Sequence, residues 1–101
     1  MKQVCFEYLM NQFGDKEVVE EIYKEYVASI QEKLTELDAA LAAEDWTALD
    51  HVAHAVKGNS LATGDNEMAD TAIALRTAAK LSEKANALDL INKIKELAKG
   101  I

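Results

Sequence analysis

The stretch LDHVAHAVKGNSLATGDN, Leu49 to Asn66, holds a helical stripe, a histidine off that stripe, a glycine where a helix would not choose one, and a turn. Leu49, Ala53, Val56 and Ser60 recur at the three-and-four spacing of an amphipathic helix. On a wheel of 100° per residue they cluster within about 60°. His54 lies about 120° from the centre of that cluster, on the outer side. Lys57 follows three residues later, close enough for its ammonium to reach the surroundings of the imidazole. Gly58 comes one turn after His54, although glycine costs a helix interior roughly 1 kcal/mol relative to alanine. Core packing does not explain an outward glycine, since alanine would suit the helix better. A glycine beside an outward histidine does leave a notch through which a large partner can approach the ring. The segment TGDN, Thr63 to Asn66, then reads as the clearest turn in the chain.

The same spacing recurs on both sides. A short helix is predicted over Lys2 to Phe13, with Cys5, Leu9 and Phe13 on one face. Gly14 ends it, and Asp15 caps the next. A long helix follows over Lys16 to Ala43, with the stripe Val19, Ile22, Tyr26, Ile30, Leu34, Leu37 and Leu41. Asp45 is the expected cap of the histidine-bearing helix, Trp46 to Ala62, in which Trp46 extends the stripe. A fourth helix spans Glu67 to Leu81 with Met68, Ala72, Leu75 and Ala79 inward. A fifth starts near Asn86 and carries Leu88, Ile91, Ile94 and Leu97. Short connections between helices imply antiparallel neighbours. The expected fold is all-α: an antiparallel up-down four-helix bundle with an extra short N-terminal helix covering one end, in one domain spanning residues 1–101.

Composition agrees and removes several function classes. Half the residues are apolar, there is no proline and there are only four glycines, which points to helices with few turns. The net charge of −7 argues against nucleic-acid binding, which needs clustered Lys and Arg on phosphates. Cys5 is alone, so it forms no internal disulfide and suggests a reducing compartment. No apolar run approaches the ~20 residues of a membrane span, and the N-terminal segment lacks a signal-peptide core. A cytoplasmic location and no membrane partner are expected. His51 and His54 are too few to hold a metal, so no metal site is expected.

The segment AHAVKGNSLATG, Ala53 to Gly64, resembles the signature of histidine-containing phosphotransfer (HPt) domains. In that family a phosphorylatable histidine is followed by Lys at +3, Gly at +4, a small residue at +6 and Gly at +10. Here those positions are His54, Lys57, Gly58, Ser60 and Gly64. The approach LDAALAAEDWTALDHVAH and the entry FGDKEVVEEIYKEYV are also similar to the family's, so the likeness runs from about Phe13 to Leu81. The resemblance implies a four-helix bundle and a place in two-component signal transduction.

It further implies a phosphorelay intermediate. His54 takes a phosphoryl group from a receiver-domain aspartate or a hybrid histidine kinase, holds it as phosphohistidine, and passes it to another response-regulator receiver. The receiver supplies Mg²⁺, and no intrinsic cofactor is expected. Lys57 and Arg76 are the expected phosphoryl-stabilising residues, and Gly58, His51, Ser60 and Gly64 the expected receiver-docking set. Within that set Ser60 is read as inward and small, and Gly64 as a turn residue. Relatives often carry Glu or Gln at the position of Arg76, where it accepts a hydrogen bond from the imidazole Nδ1–H; arginine has no acceptor. The chain is expected to be a monomeric phosphocarrier without kinase activity, since it has no Gly-rich loop or Mg²⁺-binding pattern for ATP. The competing class is a helical interaction module that binds receivers as a decoy and is never phosphorylated.

Overall fold

The computed structural model describes residues 1–101. It contains five helices: α1 (Gln3–Phe13), α2 (Lys16–Ala42), α3 (Trp46–Thr63), α4 (Asn66–Lys80) and α5 (Lys84–Ala98). Three of the four helices that follow α1 start on an aspartate whose side chain accepts from backbone N–H groups left without helical partners. Asp15 accepts from Glu17 at 2.9 Å and Val18 at 3.3 Å. Asp45 accepts from Ala48 at 3.1 Å, and Asp65 from Met68 at 3.4 Å. Gly14 and Gly64 close α1 and α3 in the left-handed conformation, at φ +67° and +77°. In the other two connections Glu44 and Ser82 take positive φ without being glycine.

Contacts between helices run around a ring, α2 on α3, α3 on α4, α4 on α5 and α5 back on α2. The backbones of the two diagonal pairs stay apart, with the side chains of all four helices in one core between them. α1 lies outside the ring against α2 and α3. The molecule measures 42 × 20 × 19 Å, and α2, at 1.5 Å per residue, is about 40 Å long and sets the long axis. No helix is long and apolar enough to cross a membrane.

The core is built from Leu9, Ile30, Leu37, Leu49, Met68, Leu75, Ile91 and Ile94, all fully buried. The stripes of α3 and α4 hold except that Trp46 is only partly buried. Elsewhere several expected faces are corrected. Phe13 is 51% exposed at the very end of α1, where no helix covers it. On α2, Tyr23 is buried while Ile22 and Leu34 sit at the core's edge, because the helix is rotated slightly from the face the spacing suggested. On α5 the buried face is Ala87, Ile91, Ile94 and Ala98, so Leu88, 100° away, is exposed. Alanine is small enough to bring α5 against its neighbours, and a hydropathy count that favours leucine misses it.

Candidate functional site

Helix α3 presents His54 to solvent, with His51 and Gly58 also exposed and Lys57 half-buried. The surrounding charge comes from α4. Arg76 reaches across to α3, and its Nη1 lies 2.9 Å from His54 Nδ1. Its Nε donates to Asp50 Oδ1 at 2.8 Å. Asp50 and His54 are one turn apart on α3, so a single guanidinium clamps both. The hydrogen bond from Arg76 holds the Asp50 carboxyl below the usual carboxylate range. Burial opposes this, and the charges of Arg76, Lys80 and His51 reinforce it.

The direction of the histidine contact follows from chemistry. Every guanidinium nitrogen is a donor and none accepts. Nδ1 must therefore be the acceptor, and the neutral ring carries its proton on Nε2. An acceptor at this position would select the opposite tautomer. Arg76 faces His54 as expected, and Asp50, which fixes it, carries no signal in the sequence.

Gly58 lies in the middle of α3, and a Cβ built on it would meet no heavy atom within 4 Å. The notch is real open space. Lys57 makes no ion pair, which leaves its ammonium free to meet an incoming anion. Two members of the expected docking set are corrected. Ser60 is fully buried, and its Oγ lies 3.3 Å from the Tyr26 hydroxyl. Gly64 is buried as well, and a Cβ there would fall 2.6 Å from Tyr8. Both shape the site from beneath: Ser60 lies on the inward stripe, and Gly64 lets α1 cross the end of α3. Apolar groups that are exposed instead include Leu61, one turn beyond Lys57 and Gly58, and Val4 and Tyr8 on α1.

A family model described as the Hpt domain matches residues 21–100. The chain belongs to the Hpt domain family. The match starts inside α2, so α1 lies ahead of it. Searches of curated proteins and of solved structures return no match. Hpt domains act in two-component phosphorelay signalling and carry phosphoryl groups; they are not kinases.

The Hpt domain also holds a second polar centre, beneath the surface. Asp65, the cap of α4, is fully buried. Lys2 Nζ donates to its Oδ1 at 2.7 Å, and the Tyr26 hydroxyl donates to its Oδ2 at 2.7 Å. The Lys2 backbone N–H donates to the Tyr23 hydroxyl at 3.3 Å. One carboxylate thus joins the start of α1, the middle of α2 and the start of α4. Burial pushes the Lys2 ammonium down, but the hydrogen bond and charge of Asp65 outweigh it and its pKa is raised. Burial raises the Tyr26 hydroxyl far above its usual range. Burial also pushes the Cys5 thiol up to about 11, so it stays protonated and is no nucleophile. In the sequence Asp65 reads only as part of the TGDN turn. The available signal was its place one residue before the fourth helix; nothing indicated a lysine 63 positions away.

Proposed function

We propose that this Hpt domain accepts a phosphoryl group on His54 from the phosphoaspartate of a response-regulator receiver and passes it to another receiver. The imidazole nitrogen forms the bond to phosphorus as the acyl P–O bond breaks, and the aspartate carboxylate leaves with the electron pair. The observation that carries this reading is an exposed histidine on a rigid helix beside the open Gly58 notch. Phosphoryl transfer depends mainly on positioning and charge stabilisation, and the receiver brings the Mg²⁺. Lys57 supplies positive charge for the phosphoryl oxygens, and Arg76, held on Nδ1, adds to it through its field and not by contact. The short connections favour antiparallel neighbours, which keeps α3 and α4 side by side over the site. The domain works as a monomer in the cytoplasm, and a hybrid histidine kinase is the other possible donor.

A decoy that binds receivers without taking phosphate is the second reading. It draws on the Arg76 contact, which already occupies one ring nitrogen. Incubation with a phosphorylated receiver separates the two. The expected result is loss of label from the receiver and its appearance on this chain at an acid-labile, base-stable site. Tight binding with no transferred label would establish the decoy.

A further inference from the structure

The imidazole contact has the opposite polarity from the one an acceptor residue would make. We propose that Arg76, braced by Asp50, is a positioning residue that prolongs the life of a phosphoryl group on His54 Nε2 by keeping Nδ1 unprotonated. The inference rests on His54 as the phosphoryl acceptor and adds what happens to the group once it is there.

The two ring nitrogens are not equivalent in this site. Nδ1 is occupied by the Arg76 guanidinium at 2.9 Å, which leaves Nε2 as the nitrogen that phosphorus can reach. In the resting ring Nε2 carries the proton. A protonated Nε2 has no free lone pair, so the proton first moves through solvent from Nε2 to Nδ1 as Arg76 swings aside. Nε2 then attacks phosphorus, the acyl P–O bond breaks, the carboxylate departs with its electron pair, and Nδ1 gives its proton to solvent. The product is a neutral phosphoimidazole whose Nδ1 holds a lone pair. Arg76 can donate to it as before. The contact therefore suits both the resting ring and the neutral phosphorylated ring. It is lost only when Nδ1 takes a proton, because a guanidinium has no lone pair to offer.

That one excluded form is the one that sheds phosphate most easily. Cleavage of the P–N bond leaves the electron pair on Nε2. With a proton on Nδ1 the leaving group is neutral imidazole; without it the leaving group is imidazolate, which departs far less readily. Water attacking phosphorus thus gives inorganic phosphate and imidazole quickly only after Arg76 has withdrawn. Asp50 opposes that withdrawal through its 2.8 Å bond to Arg76 Nε. The pair is only partly exposed, at 25% for the arginine side chain and 21% for the aspartate, so water competes only partially for it. A docking receiver that engages Asp50 or Arg76 would free Nδ1 and hasten discharge, so phosphate is held in isolation and released on contact.

The test uses the whole chain charged chemically with phosphoramidate, which needs no partner protein. Nitrogen NMR of uncharged wild type should show the Nε2–H tautomer, and Arg76→Gln, which offers an acceptor, should show Nδ1–H. At one fixed neutral pH, Arg76→Gln should lose its phosphoryl group about tenfold faster than wild type, the scale expected for one charge-assisted hydrogen bond. Asp50→Asn keeps the arginine but weakens its brace, and should fall between the two. A wild-type ring found as Nδ1–H, a failure of phosphoramidate to charge His54, or equal lifetimes in wild type and Arg76→Gln would each overturn the proposal. A receiver that fails to charge the wild type would instead sink the relay function and leave this result standing.

Discussion

Two aspartates in this molecule do the same local job in different solvents. Asp65 binds Lys2 at 2.7 Å, and Asp50 binds Arg76 at 2.8 Å. Each also sits within one residue's reach of a further polar ring, Tyr26 directly for Asp65 and His54 through Arg76 for Asp50. The difference is water. Asp65 has none, and Asp50 keeps a fifth of its surface. A charge buried with its partners is expensive to strand, whereas an ion pair near water is cheap to open. Asp65 therefore belongs to the fold, tying α1, α2 and α4 together. Asp50 belongs to the site, where a contact that can open is what the chemistry needs.

The largest consequence falls on Asp65. Asp65→Ala removes a cap and the shared partner of Lys2 and Tyr26, and should cost about 3 kcal/mol in chemical denaturation. Asp50→Ala should cost under about 1 kcal/mol. Equal losses would mean that burial does not separate the two centres. Gly64→Ala comes next. It puts a Cβ at φ +77° and into Tyr8 at 2.6 Å, so a loss of about 2 kcal/mol is expected, with α1 loosened in hydrogen exchange. Gly58→Ala should go the other way, since its Cβ meets open space: thermal melting should show a gain of up to about 1 kcal/mol. Gly58→Gln should keep the fold and slow transfer from a receiver.

The smallest effect is a pH dependence. Asp50 has a lowered pKa in the folded protein. Its contribution is present above the ordinary carboxyl value of 3.8 and is lost as pH falls through the lower folded value. The melting-temperature difference between wild type and Asp50→Asn should therefore be constant near neutrality and vanish in acid below 3.8. A difference that grows in acid would have the wrong sign for an Arg76-stabilised carboxylate.

Much of the framework was legible because helices announce themselves locally. The three-and-four spacing marked α2, α3 and α4, and Gly14, Asp15 and Asp45 marked where helices stop and start. His54 could be placed outward because the stripe of its own helix fixed its direction. What failed depended on how one helix turns against another. Tyr23 and Ile22 are neighbours on α2, and only the packing of α1 and the bundle decides which is covered. Asp50 meets Arg76 across 26 positions and Asp65 meets Lys2 across 63, and no periodicity carries such pairs. Ser60 was legible as inward from its stripe yet also grouped with the docking residues through family likeness, and the stripe was the better guide.

His54 as the phosphoryl acceptor is tested most directly by charging wild type, His51→Gln and His54→Gln side by side with a phosphorylated receiver, with circular dichroism run on each. Both histidines are exposed on the same helix, three residues apart, so each variant controls for the other. The expected result is an acid-labile label on wild type and on His51→Gln, and none on His54→Gln, with all three equally helical. Label retained by a folded His54→Gln, and lost from His51→Gln, would move the site to His51 and contradict the assignment.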